Sequence, residues 1–140
     1  MTLGPGSSAR ALSQALAAGD LSAAELMQAT LALVDAFNGD VNAIVALRDH
    51  DARMADARAA DESERTGWLH GIPIAIKDLS NAAGFPTSMG SPLFAGQQAA
   101  QDDIMVAGQR AGGGRGGGKS RPPPKGGGGP RPAPHQGAPP

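Results

Sequence analysis

The run Trp68-Leu69-His70-Gly71-Ile72-Pro73-Ile74-Ala75-Ile76-Lys77-Asp78 constrains this chain most. Ile72, Ile74 and Ile76 fall on one face of an extended segment, and Pro73 and Ala75 on the other. A strand with no polar face is predicted to be buried on both sides, which requires a sheet covered by helices on each face. Pro73 stands near the strand's start, where a missing N–H is tolerated. The segment then closes on a lysine and an aspartate, an abrupt end for so apolar a run.

The flanking sequence supplies helices for such a sheet. Ser7 or Ser8 can cap a short first helix carrying Leu12 and Leu16, with Gly19 as its stop. Ser22 followed by Glu25 forms a capping box, in which each side chain satisfies the other residue's backbone N–H. The helix that follows places Leu26, Thr30, Leu33, Val34 and Phe37 on one stripe, with Gly39 predicted to end it. Val41, Ala43, Val45 and Leu47 alternate as in a short strand. From Asp49 or Asp51 to Glu64 the residues suit a largely solvated helix with Met54 on its apolar side. Asn81 to Phe94 reads as loop, and Asp102 or Asp103 caps a helix beginning at Ile104.

Charge divides the chain in two. Residues 1–107 hold six basic residues and all thirteen acidic ones, a net −7; residues 108–140 hold the other six basic residues and no acid, a net +6. The second segment contains twelve Gly and eight Pro and no aliphatic residue larger than Ala. It cannot bury enough apolar surface to offset chain entropy, so the reading is a body over 1–107 and a disordered low-complexity basic tail over 108–140. There are no cysteines, which excludes disulfides and thiolate chemistry. His50, His70 and His135 are too scattered to suggest a metal cluster. No stretch approaches the roughly 20 apolar residues of a membrane span, and Met1–Ser8 lacks the features of a signal peptide. A soluble, cytoplasmic location is expected, with no membrane partner.

Lys77 admits two readings from spacing alone. It can snorkel to solvent past the strand end and pair with Asp78. Alternatively, burial and neighbours favour its neutral amine, making it a general base.

The wider wording separates them. Leu69 through Leu79, followed by Gly84-Phe85-Pro86-Thr87-Ser88-Met89-Gly90-Ser91, resembles the first signature block of the amidase-signature family. Leu21–Leu26, Val41-Asn42-Ala43 and Asp102-Asp103 fit the same pattern, so the resemblance runs over about residues 10–107 in one register. It implies the N-terminal part of a three-layer α/β/α fold with a mixed sheet. It also implies a Ser–cis-Ser–Lys hydrolase of small-molecule carboxamides that needs no cofactor. Lys77 matches the catalytic lysine, which takes a proton from a bridging serine; that serine activates a second, nucleophilic one. Asp78 is expected to help order the loop, and Thr87–Ser91 to lie near the entrance of the active site. The His70–Ser91 wording lies nearer a stand-alone amidase than the glutamine-hydrolysing subunit of a tRNA amidotransferase.

Both serines should come from a later Gly-Gly-Ser-Ser-Gly-Gly-like segment, and the 140 residues contain none. Ser88 and Ser91 belong to the lysine block and do not replace them. The chain alone is therefore expected to be inactive, a truncated fragment with an unpaired sheet edge, uncovered apolar faces and marginal stability.

The Gly-rich segment carries two further signals. Gly113-Gly114-Arg115-Gly116-Gly117-Gly118-Lys119-Ser120 matches a phosphate-binding loop letter by letter. It lacks a preceding apolar strand, however, and Pro122-Pro123-Pro124 blocks the helix that should follow. The basic residues also allow an alternative, a small helical adaptor with a nucleic-acid-binding tail, although without aromatic residues for base stacking nucleic acid is not the expected partner. Finally, Arg110-Ala111, Gly118-Lys119-Ser120, Pro123 and Gly126 fall where the resemblance expects them, while Gly, Pro or Arg replace the intervening apolar residues. The codons of all three are rich in G and C, which points to an altered coding region rather than a selected tail.

Overall fold

A computed structural model describes residues 3–121. Helix α1 spans Ala9–Ala18, with Ser8 Oγ accepting the Ala11 N–H and Gly19 closing it in the left-handed conformation. Helix α2 spans Ala23–Val41, and both hydrogen bonds of the Ser22–Glu25 capping box are formed. The helix runs through Gly39, where a stop was expected, and ends instead at Asn42 in the left-handed conformation. The reason lies just before that end: the Asn38 carboxamide accepts the Ile44 N–H and donates to the Ile44 carbonyl, both at 2.8 Å, tying the helix to the strand that follows.

Strand β1 is Ile44–Leu47, shorter than the alternation from Val41 suggests because α2 takes the first residues. Helix α3 covers His50–Glu62 with Asp49 as its cap. Strand β2 is Pro73–Lys77, α4 is Ile104–Ala111 and β3 is Arg115–Ser120. A 3-10 turn at Pro92–Phe94 interrupts the loop between β2 and α4.

The sheet is mixed, in the order β1-β3-β2, with β3 antiparallel to β1 and parallel to β2. The Gly-rich segment thus provides the central strand. The division at 107/108 is corrected: α4 crosses it, and residues 115–120 form backbone ladders on both sides. Composition misleads here because a central strand is held by its neighbours' N–H and C=O groups, which any residue except proline can meet. The rest of the expected tail, 122–140, lies outside the described residues.

The core is aliphatic and divided. Ala23, Met27 and Leu31 of α2 pack on Met54, Ala57 and Ala60 of α3. Leu12, Leu26 and Ile72 form a second cluster. Ile76 and Ile74 meet Ala82, Phe85 and Val106 in a third. Burying a side chain such as Leu26 or Met27 contributes roughly 2 kcal/mol.

Two faces expected to be covered are open. Leu33 and Phe37 of the α2 stripe are exposed, because α3 covers only the Met27–Leu31 side. On β2, Ile76 is buried but the alternate residues Ala75 and Lys77 are exposed, so that face has no layer over it among the described residues. Among the described residues the outer edges of β1 and β2 are likewise without a partner strand.

Candidate functional site

Lys77 is the last residue of β2 and lies beside Ser120, its register partner in β3. The two strands run in parallel and finish together, and the Asp78 N–H donates to the Ser120 carbonyl at 2.8 Å. The chain then turns sharply, with Ser80 N–H donating to the Lys77 carbonyl at 3.0 Å. The Lys77 side chain is exposed on the open face, and among the described residues no hydrogen bond or ion pair holds its amine. Ladder and turn therefore hold its backbone while its amine remains accessible: the burial that the general-base reading expected is not found among the described residues, and the solvent-facing part of the other reading is.

The Lys77–Asp78 pair of the solvent-facing reading does not form. Asp78 is 2% exposed and points the other way, accepting the Ser88 N–H at 3.1 Å and the Ser88 hydroxyl at 2.5 Å. This is the loop-ordering role expected of it: a carboxylate at the strand end holds a segment ten residues further on. Asp103 and Asp102 secure the intervening loop, accepting the N–H groups of Asn81 at 2.8 Å and Ala83 at 2.7 Å. Asp102 pairs in turn with Arg110 at 3.3 Å. Asp103 is thus occupied with Asn81 and makes no side-chain cap on α4.

The residue that sequence reasoning missed is Lys119. Its side chain is fully buried, 0% exposed, one position before the end of β3 and in register with Ile76. Its amine donates to the Ser80 carbonyl and to Thr87 Oγ1 at 3.2 Å, and stands 4.0 Å from Asp78 Oδ1. Burial pushes the Lys119 pKa below the ordinary lysine value, with Asp78 and Asp103 opposing the shift. The signal was present in Gly118-Lys119-Ser120, a spaced match to the resemblance, but it stood inside a segment whose composition argued against structure.

The same placement disposes of the first tail signal. Arg115–Ser120 is extended strand, so the phosphate-loop match has no loop, and Lys119 is turned into the protein. Arg110, Arg115, Lys119 and Arg121 all belong to the described body; only Lys125 and Arg131 of the basic segment lie beyond it.

One cavity, about 430 Å³, lies elsewhere, between the end of α1, the start of α2 and the end of α3. Its polar groups are already engaged. The Asp61 carboxylate accepts the Ala23 and Ala24 N–H groups at the α2 terminus, and Arg65 donates to Ser13 Oγ at 2.6 Å. His70 accepts the Thr66 N–H at Nδ1, so Nε2 carries the proton and donates to the Ala60 carbonyl at 2.9 Å. These contacts join α1, α2 and α3 to the segment before β2. No group of metal-binding side chains occurs among the described residues, and no helix there is long and apolar enough to cross a membrane.

Comparison with known proteins places these features in a family. The family model described as Amidase matches residues 25–123, spanning the corrected boundary. Over 86 residues the chain is 48% identical to a glutamyl-tRNA(Gln) amidotransferase subunit of Chloroflexus aurantiacus, covering 59% of this chain and 18% of that protein. Over 95 residues it is 39% identical to an amidase of Pseudomonas putida, covering 66% and 20% respectively. The expected leaning toward a stand-alone amidase is thus not what identity favours. The fold superposes on native peptide amidase from Stenotrophomonas maltophilia with a TM-score of 0.74 and 29% identity, over 83% of this chain and 25% of that one. The chain therefore spans about a fifth of the length of the curated relatives it matches.

Proposed function

The chain belongs to the amidase family, and from that premise we propose that it carries the general base of a carboxamide hydrolase, with Lys77 as that base. The observation that carries this reading is the Amidase match over residues 25–123, which takes in Lys77; the Lys77 backbone is fixed by the ladder and the Asp78–Ser88 contacts, and its amine stands exposed beside them. A base must be reachable by the group it deprotonates and held by a rigid frame.

In the reaction, the neutral Lys77 amine accepts the proton of a bridging serine. That serine takes the proton of a second serine, whose oxygen attacks the carboxamide carbon. The proton held by Lys77 passes back through the bridging serine to the leaving nitrogen as the tetrahedral intermediate collapses and expels ammonia or an amine, and water then hydrolyses the acyl-enzyme. Backbone N–H groups must stabilise the oxyanion. The 140 residues include no Gly-Gly-Ser-Ser-Gly-Gly-like segment after Lys77 to supply the nucleophile, so the chain by itself is proposed to release no ammonia. A cytoplasmic setting and a small-molecule amide substrate complete the proposal; three of the six basic residues of 108–140, Arg110, Arg115 and Lys119, belong to α4 and β3, which counts against a nucleic-acid-binding tail.

The test is a chimera. Residues 1–121 would replace the corresponding part of the peptide amidase, with the 69–91 block alone exchanged as a second version. We expect peptide-amide hydrolysis in at least one version, and a Lys77→Ala loss in kcat of roughly 10²–10⁴-fold, the range of general acid–base catalysis. A chimera that hydrolyses equally well with Lys77→Ala removes the assignment.

A further inference from the structure

Three segments meet at the Lys119 amine. The first is the turn after β2, whose Ser80 carbonyl accepts from it; the second is the later loop, through Thr87 Oγ1 at 3.2 Å. The third is β3 itself, which carries Lys119 as the register partner of Ile76, next to Lys77. The Ser80 N–H closes the turn onto the Lys77 carbonyl, so one residue links Lys77 to the buried amine through its two backbone groups. Thr87 precedes Ser88, whose N–H and hydroxyl are both held by Asp78, the residue after Lys77.

A lysine with no exposed surface is costly to bury unless its donors are met. Here two acceptors meet them, and both lie on the segments that frame Lys77.

We propose that Lys119 is a positioning residue for Lys77: it clamps the Lys77–Ser80 turn and the Thr87–Ser88 segment onto the central strand, and so fixes the backbone from which the Lys77 side chain extends. The functional meaning rests on the reading of Lys77 as the base; the clamp itself does not. Lys119 touches no reacting atom in this arrangement and acts only through the backbone on either side of Lys77. The charged groups facing it are Asp78, from the turn, and Asp103, from the start of α4. Both also hold loop N–H groups, so clamp and carboxylates form one buried network.

The test uses the full chain and two readouts, neither of which needs hydrolysis. One is amide hydrogen exchange at Ser80 and Ser88, with Leu31 of α2 as a control outside the network. The other is the pH profile of Lys77 acylation by acetic anhydride, read by peptide mass spectrometry, in which Lys77 is resolved from Lys119 and Lys125. In Lys119→Met we expect exchange at Ser80 and Ser88 to rise roughly tenfold, the loss of a buried hydrogen-bonded tie, with Leu31 unchanged. The extent of Lys77 acylation at each pH should change as well, both in Lys119→Met and in Thr87→Val, the second of which keeps every charge. Thr87→Val should raise exchange at Ser88 by roughly fivefold, and Thr87→Ser, which keeps the hydroxyl, should restore it.

Wild-type exchange and a wild-type Lys77 profile in both Lys119→Met and Thr87→Val overturn the proposal. So does a Thr87→Ser variant indistinguishable from Thr87→Val. Should Lys119→Met unfold the whole chain, seen as lost protection at Leu31, the Thr87 pair decides on the same readouts. Failure of the Lys77 assignment would appear separately, as a chimera active without Lys77.

Discussion

β2 and β3 lie side by side, run in the same direction and end in register at Lys77 and Ser120, yet they are built from opposite materials. β2 is Pro-Ile-Ala-Ile-Lys, apolar and β-branched; β3 is Arg-Gly-Gly-Gly-Lys-Ser, which has almost no strand preference of its own. β2 nevertheless sits at the edge with one face open, while β3 occupies the centre with ladders on both sides. Side chains bring β2 to the sheet, whereas backbone partners bring β3. The lysines divide the same way. The one ending the apolar strand reaches solvent, and the one in the glycine strand is buried and bonded. Local composition thus says little about which strand is central, and each of the following measurements probes that division.

The largest effect is expected where glycine is required by space. Gly113, just before β3, has φ +87°, and a Cβ there would stand 2.6 Å from His70 Cα and 2.8 Å from Thr66 Oγ1. Backbone that cannot move away and a left-handed conformation act together. Gly113→Ala should cost about 3 kcal/mol or unfold the chain outright, measured by urea denaturation. A loss under about 1 kcal/mol would mean that the entry into β3 is looser than the ladder implies.

That contrast also shows what was legible in the sequence. Helix starts are local contracts: Ser8, Ser22 with Glu25, and Asp49 each carry the cap that the chain then forms. β2 and Lys77 at its end were legible because an apolar run marks itself. β3 was not, since its stabilising partners lie in β1 and β2, far off in sequence. The end of α2 was missed for a similar reason: Asn38 reaches forward to Ile44, and Gly39 stays within the helix while Asn42 takes the left-handed conformation. Asp78 was identified as a loop organiser, but its buried counterpart was not, because Lys119 becomes informative only once β3 exists.

The second measurement concerns pH. Burial lowers the Lys119 pKa, so over the interval between its folded value and the unfolded value of about 10.4 the unfolded chain binds more protons than the folded one. Stability linked to Lys119 should therefore rise with pH through that interval. Urea melts between pH 7 and 10 should show this slope in the wild type and lose it in Lys119→Met, leaving only what other groups contribute. An unchanged slope in the variant would mean that the buried amine costs nothing to protonate, and would erase the distinction between the two lysines.

A smaller gain is expected inside β3. At Gly116 an added Cβ would meet Phe85 Cε2 at 3.8 Å, and at Gly117 only the Ile74 carbonyl at 4.0 Å, so both positions have room. Gly118 does not, with the Ala46 carbonyl at 2.7 Å. Gly116→Ala with Gly117→Ala should stabilise the chain by about 1 kcal/mol, through reduced freedom of the unfolded state and added contact with Phe85. Gly118→Ala should destabilise. If all three substitutions act alike, β3 is a passive spacer rather than a fitted strand.

The smallest effect is expected at Lys77. Its side chain is exposed, no partner holds it among the described residues, and the ladder beneath it uses only backbone groups. Lys77→Met should leave stability within about 0.5 kcal/mol of the wild type, the ordinary range for a surface substitution away from special contacts. A lysine that ends a strand and contributes nothing to holding it is free to be selected for chemistry, whereas one that stabilises the fold needs no other reason to be there. A cost of about 2 kcal/mol or more for Lys77→Met would assign it a structural role, of the kind measured for buried groups, and would weaken the reading of Lys77 as a base more directly than any failed assay of this chain.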